Sequence, residues 1–483
     1  MVGSEPPVAH PANGTLIEGA SGYRNYGSGG LNNVGSNGNC WAFAPNSQTN
    51  ARNLNFNSGN VNPLNNNERA NGFSVRPSRA SGRAPGSIII YGDMTYTFEE
   101  LHAIVTSAYL KAREEERGTL AQLEFEVYME ENIQALTREL FSRTWTPLPL
   151  DWFVNLYPTV REVFAPKFRD RVVSHVLFSL ISPIFERYFV HDSFSCRIGK
   201  GTLVGIERLE HHIRSVTDNY RREAYALSYD IVAYFMSIDR SILLSIIRSY
   251  LSKHERRFPD AIDYELADFL ISTFLMRDPL DGCTYHGDTR LIKLVQPGKS
   301  LRDQKPGIGI PIGDVLNQLC SNIYLTPFDQ FVLRDLHIRH AVRYVDDGKM
   351  LHRDRDYLAE CRERANAFLA ENLHLSLHPL KTTIVPLSET TCFLGAALLP
   401  YRRHARNDTV SRFCEFIEKA DASLAEGDVD IRHLLFDLNA RLGYLSHFDA
   451  KKMIVRAVSD AKNIAKNYNF AKNYTKAIIK KSI

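Results

Sequence analysis

The chain has little that would place it outside a cell or in a membrane. Its seven cysteines, Cys40, Cys196, Cys283, Cys320, Cys361, Cys392 and Cys414, are an odd number and show no Cys-x-x-Cys spacing. That excludes a disulfide framework and a zinc-ligand cluster, and reads as reduced thiols. No run of about eighteen apolar residues occurs, so no membrane span is expected. The start lacks a basic stretch followed by an apolar one, so no signal peptide is evident. The expectation is a cytoplasmic protein. Excess charge is missing as well. A net charge of +3 over 483 residues gives no global basic signal, so any nucleic-acid surface must be local. The hydrophobic content of 44% is enough for a large core.

Residues 1–85 are nearly free of acids and rich in Asn, Gly and Ser. In "NNVGSNGNCWAFAPNSQTNARNLNFNSGNVNPLNNNERANGFSVRP" about one residue in every three or four is Asn, several times average usage. The plain reading is a disordered, low-complexity arm. From Met94 the composition changes abruptly. "MTYTFEELHAIVTSAYLKAREEERGTLAQLEFEVYMEENIQALTRELF" is charged, poor in Gly and helical in period, and Thr97 followed by Glu99 and Glu100 fits a helix start. Globular patterning continues to about Tyr401. Asp408 to Ile483 reads as helices with a basic tail, in which lysines are interleaved with Tyr468, Phe470 and Tyr474, a pattern suggestive of nucleic-acid contact.

Three acids stand where acids are poor material. Asp346 and Asp347 sit inside the apolar run "HAVRYVDDGKML", and Asp230 closes the strand-like run Tyr225 to Tyr229 in "AYALSYDIVAYFMSIDR". An Asp ending one strand and an Asp-Asp pair at a tight hairpin turn can converge. Three converging carboxylates are untenable without cations. Magnesium, which prefers hard oxygen ligands, suits them. Two such ions about 4 Å apart can activate a hydroxyl and stabilise a leaving pyrophosphate. A solvated turn is the alternative for the Asp-Asp pair alone.

"RYVDD" resembles the Tyr-x-Asp-Asp box of reverse transcriptases, and "SYDIVAYFMSI" their first palm motif. In order along the chain, "PTVREVFAPKFRDRVVSHVL" and "HDSFSCRIGKGT" resemble the fingers, and "GIGIPIGDVLNQLCSNIYLTPFDQFV" the motif between the acidic ones. "LHPLKTTIVPLSETTCFLGAAL" resembles the end of the palm and "RLGYLSHFDAKKM" a thumb segment. The resemblance runs from about Met94 to about Met453. It implies an α+β right-hand polymerase: fingers and a palm built on a ferredoxin-like split βαβ sheet over 94–405, then a helical thumb and basic tail over 406–483.

The site residues follow from the same resemblance. Asp230, Asp346 and Asp347, with the Ile231 carbonyl, would hold two magnesium ions, and Lys381 would protonate the departing pyrophosphate. Phe235 stands where a flat ring excludes a 2′-hydroxyl and so selects deoxynucleotides, unless Tyr234 beside it is the exposed ring. Lys167, Arg169, Arg171, Arg197 and Lys200 supply cations suited to a triphosphate. Of these, Arg171 and Lys167 are the favoured contacts.

The middle motif departs from the common Gln-Gly and Ser-Pro pattern. Ile312-Gly313 is followed by Asp314, Val315, Leu316, then Asn317-Gln318. Ile for Gln and Gln for Pro resemble the reverse transcriptases of diversity-generating retroelements, which miscopy template adenines. Asn317 departs even from that group, where Ser is usual. Ile312 removes an amide that would face the nascent base pair, and Gln318 joins the nucleotide-binding set.

The resemblance gives the Asn-rich head a second reading. Asn codons begin with two adenines, and a translated template repeat would look like residues 13–79. "RANGFSVRPSR" is similar to the closing strand of lectin-like variable proteins. Residues 1–85 are then a poorly ordered fragment of a lectin-like domain and Met94 the natural start, an appended binding domain being the alternative. Implied partners are template RNA and RNA–DNA duplex, deoxynucleoside triphosphates and a basic accessory variability protein. Retron, group II intron and phage-defence reverse transcriptases, and a catalytically silent RNA-binding scaffold, are the rivals.

Overall fold

The computed structural model describes residues 96–480 apart from 115, 157–158, 255–263 and 472, together with short strands between Pro7 and Glu68. The chain divides into two units, Met1–Ile90 and Tyr91–Ile483. In the first, the strands Asn37–Pro45, Asn50–Asn57 and Asn60–Glu68 pair antiparallel. The expectations of poor order and of a lectin-like fragment otherwise concern residues outside those described.

The second unit mixes helix and sheet. It opens with three helices, α1 (Phe98–Glu114), α2 (Leu120–Val127) and α3 (Met129–Phe141). The start of α1 is a reciprocal capping box. Glu100 N donates to Thr97 Oγ1 at 3.2 Å and Thr97 N to Glu100 Oε2 at 2.9 Å, so two otherwise orphaned amides are satisfied. The apolar face of α1, with Leu101, Val105, Ala108 and Tyr109, packs in one core with α4 (Phe168–Phe185). Between α3 and α4 lie β1 (Asp151–Asn155) and β2 (Arg161–Ala165), joined later by β4 (Thr284–Tyr285) in a three-stranded sheet.

The centre of the unit is a four-stranded antiparallel sheet. After α5 (Thr202–Val216) come β3 (Tyr225–Tyr229), the short α6 (Tyr234–Ser237), α7 (Arg240–Lys253) and α8 (Tyr264–Met276). Then follow α9 (Val315–Arg334), the hairpin β5 (His340–Tyr344) and β6 (Asp347–His352), α10 (Arg355–Leu373) and β7 (Thr383–Pro386). The strand order is β5-β6-β3-β7, which is that of a split βαβ unit. Side chains alternate between two cores. Leu227, Tyr229 and Met350 enter the larger core with α9 and α10. Ala226, Val342 and Leu351 enter a second core with α5 and the C-terminal helices.

Beyond β7 a small antiparallel sheet leads into α11 (Asn407–Glu426), α12 (Ile431–Leu445), α13 (Lys451–Asp460) and α14 (Lys462–Asn467). Their apolar positions, among them Phe413, Ile417, Leu438, Leu442 and Ile454, complete the second core. The aromatics of the basic tail do not stand free between its lysines. Tyr468 is buried with its hydroxyl donating to the Ile431 carbonyl, and Phe470 and Tyr474 stack with centroids 5.5 Å apart. Sequence spacing shows interleaving but not burial: Tyr468 is taken up by packing, whereas Phe470 and Tyr474 remain half-buried. Among the described residues no helix is long and apolar enough to cross a membrane.

One close approach fixes the hairpin against β3. Gly348 pairs with Tyr229, and a Cβ at Gly348 would overlap the Tyr229 ring. Gly348→Ala should therefore destabilise the chain by roughly 1–3 kcal/mol through overpacking. Gly443→Ala, within α12 and with nothing near its Cβ position, should be neutral or stabilise by about 0.5–1 kcal/mol. Thermal or urea unfolding of the two variants reads the contrast.

Candidate active site

The sheet register brings the acids together. Tyr344 pairs with Asp347, so Val345 and Asp346 form a two-residue turn. Tyr229 pairs with Gly348, which sets the next residue, Asp230, beside Asp347 on the same sheet face. The turn is strained. Val345 has φ of 56°, a left-handed conformation that costs a β-branched residue of order 1–3 kcal/mol. The main chain of Asp230 is held by the segment before β7: His378 N donates to its carbonyl at 2.7 Å, and Ile231 bridges Leu377. That segment also carries Lys381, whose Nζ lies 2.5 Å from Asp230 Oδ2.

The electrostatics are those of a crowded anionic pocket. Burial, then the charges of Asp230 and Asp347, push the Asp346 carboxyl up to about 6. Burial also pushes Asp347 up to about 6, with Asp230 adding to the rise and Lys349, Arg406 and Lys381 opposing it. Lys349 is buried, donates to Ser228 Oγ at 2.6 Å, and is itself lowered by burial. It alternates with Asp347 on one face of β6, a signal that the two-residue spacing carries. Neither Lys349 nor Arg406 was among the residues expected from the sequence.

Among the described residues, no three His, Cys, Asp or Glu side chains stand close enough to hold a metal ion. Lys381 occupies one oxygen of Asp230, so the ammonium supplies the positive charge that an ion would bring. The donor chemistry nonetheless fits a hard cation: three carboxylates on one edge, two with raised pKa. An ion would need Asp230 to exchange Lys381 for it.

The other expected residues fall into two groups. Tyr234 is buried with its hydroxyl bonded to the Ser321 carbonyl, whereas Phe235 is half-buried, so of the two rings Phe235 is the accessible one. Phe235 and Ile312 share one apolar cluster with Trp152, Phe164, Met236 and Leu301. The Ile312 carbonyl accepts from Phe164 N at 2.8 Å. Gly313, with φ of 136°, lets β2 approach: a Cβ there would stand 2.9 Å from the Phe164 carbonyl oxygen. Gln318 is exposed on α9 and Asn317 is buried beside it.

The basic residues expected to face a triphosphate are each paired within the chain. Lys167 meets Asp151 at 2.6 Å, Arg169 meets Glu139 and Asp170, and Arg171 meets Glu116 and the Pro166 carbonyl. Arg197 binds Glu186 and the carbonyls of Val190 and Ser193, and Lys200 binds the His191 carbonyl.

No protein-family model matches the chain. It is similar to "Protein YkfC" of Escherichia coli (strain K12), with 26% identity over 310 residues that span 56% of this chain and 72% of that protein. Among solved structures, apo telomerase from Candida tropicalis, truncated from its C-terminal domain, aligns with a TM-score of 0.39 and 12% identity over 54% of this chain and 56% of that one. Telomerase from Candida albicans in complex with a TWJ fragment of telomeric RNA aligns with a TM-score of 0.39 and 10% identity over 70% and 60% of the two chains. The chain thus spans less than two thirds of either telomerase, and scores at this level assign neither fold nor activity.

The raised acids give a pH signature. Below about pH 4 Asp346 and Asp347 are protonated in folded and unfolded chains alike. Between pH 4 and 6 the unfolded chain releases these protons and the folded chain keeps them. The stability they contribute is therefore lost as pH rises through about 6. Asp346→Asn should raise the melting temperature more at pH 8 than at pH 4.5. Thermal scans of parent and variant in chelator across that range check the sign.

Proposed function

We propose that the chain is an RNA-directed DNA polymerase, a reverse transcriptase. In this reading the split βαβ unit is the palm, the preceding helices with β1 and β2 are the fingers, and α11 to α14 with the tail are the thumb. The observation that carries it is the register that sets Asp230 beside Asp347 with Asp346 at the adjoining turn. Asp230, Asp346, Asp347 and the Ile231 carbonyl would hold two magnesium ions, which when bound supply charge for activating a primer 3′-hydroxyl and for the leaving pyrophosphate. Phe235 lies under the sugar of the incoming nucleotide and excludes a 2′-hydroxyl. Lys381 is held by Asp230 in the chain alone. Once the Asp230 charge is otherwise taken up, its ammonium is free to pass a proton to the departing pyrophosphate. Template RNA, RNA–DNA duplex and deoxynucleoside triphosphates are the partners that this reading requires. The test is primer extension on an RNA template with magnesium. The parent should extend, and Asp230→Asn and Asp346→Asn should lose about a thousandfold or more while remaining folded. Extension at the parental rate by either variant removes the assignment.

The diversity-generating type is the finer reading. Its support is the sequence Ile312-Gly313 with Gln318, and the Asn-rich head as a translated template repeat. A basic accessory variability protein is the partner it adds. The half-buried Ile312 beside Phe235 gives the nascent pair an apolar wall. Ile312→Gln returns a hydrogen-bonding group, and a group paired only in correct geometry penalises mismatches by roughly 1–3 kcal/mol. Errors opposite template adenine should fall about ten- to a hundredfold. Sequencing cDNA from both forms on one template of all four bases decides it, and an unchanged adenine error rate leaves Ile312 as packing.

A further inference from the structure

We propose that Arg343 is a positioning residue for the acid pair, its buried guanidinium clamping the Val345 carbonyl and so holding the turn that presents Asp346 and Asp347. Arg343 is 2% exposed. Its Nε and Nη2 donate to Asp329 Oδ1 and Oδ2 at 2.7 and 2.5 Å. Its Nη1 donates to the Val345 carbonyl at 2.8 Å and to Asn322 Oδ1 at 3.3 Å. Asp329 and Asn322 both stand on α9 and are themselves buried, so the guanidinium is fixed to a rigid helix before it reaches the turn.

Packing alone does not explain the arrangement. A buried ion pair adds little stability over well-packed apolar residues of similar volume. What an apolar pair could not do is hold the Val345 carbonyl. That carbonyl belongs to the residue at φ of 56°, and Asp346 is the next residue of the turn. Released, a β-branched residue relaxes toward negative φ and re-aims the following side chain. The main chain of Arg343 is occupied too. Its N–H donates to the Asp192 carbonyl and its carbonyl accepts from Phe194 N, each at 2.9 Å. Asn322 Nδ2 donates to the Ser195 carbonyl at 2.8 Å. The clamp thus ties the turn to α9 and to the segment that precedes Arg197.

The activity arm of the test rests on the polymerase reading, and the structural arm does not. Arg343→Met with Asp329→Leu removes both buried charges together. This double variant should fold, with kcat for primer extension down about a hundredfold and KM for the nucleotide within about threefold. Its crystal structure should show Val345 out of the left-handed region. A folded double variant that keeps Val345 at positive φ, or that extends within about threefold of the parental kcat, overturns the clamp. If the double variant does not fold, Arg343→Lys serves. Lysine can reach Asp329 but lacks the second branch for Val345. It should lose about tenfold or more in kcat, and the parental kcat in that variant overturns the clamp equally. If the parent itself makes no cDNA, the polymerase reading falls, while the position of Val345 in the variant still decides the clamp.

Discussion

Repulsion among three carboxylates gathered at one edge of the central sheet is the constraint around which this unit is arranged. Burial raises the cost of ionising Asp346 and Asp347, and the charge of Asp230 adds to it at both. Free side chains would move apart. They stay because none is held by its own side chain alone. Asp230 is fixed through its main chain by the loop before β7, Asp347 by the β5–β6 ladder, and Asp346 by a turn in a conformation that valine avoids. Three cations, Lys381, Lys349 and Arg406, act on the group without filling it.

The near-neutral net charge then reads differently. Part of the positive charge is engaged within the fold. Lys167, Arg169, Arg171, Arg197 and Arg343 each hold an acid within the unit. Exposed cations are spread over the unit, and the C-terminal helices carry Lys451, Lys452, Arg456, Lys462 and Lys466 among them. A polynucleotide would meet local basic faces rather than a uniformly basic body, and such contacts weaken steeply with salt.

The parts of the fold with local signals were legible in the sequence. Asp230 does end a strand over Tyr225–Tyr229, Asp346 does lie in a tight hairpin turn, and Thr97 does open a helix through a capping box. Each is set by neighbours within a few positions. The pairing of Lys167, Arg169 and Arg171 was not legible, because Asp151, Glu139 and Glu116 come to them from other elements earlier in the chain. Composition shows a cation's presence but not whether it is already satisfied. Tyr468 failed for the same reason: spacing cannot tell a buried ring from a displayed one. Arg343 stands in the same run as the acid pair, but nothing local distinguishes a guanidinium that turns into the core from one that faces solvent.

The crowding of bonds on Arg343 bears on how such a chain can change over generations. Its side chain serves Asp329, Asn322 and Val345, and its main chain serves Asp192 and Phe194. Loss of the guanidinium strands a buried carboxylate, and loss of Asp329 strands a buried cation. Removing either charge alone is strongly destabilising, so loss of one at these positions favours a matching change at the other. Positions 322, 329 and 343 are therefore expected to be inherited as a block. A lineage that discards both charges does so at least cost through a paired substitution, while the exposed helices around them are free to diverge one residue at a time.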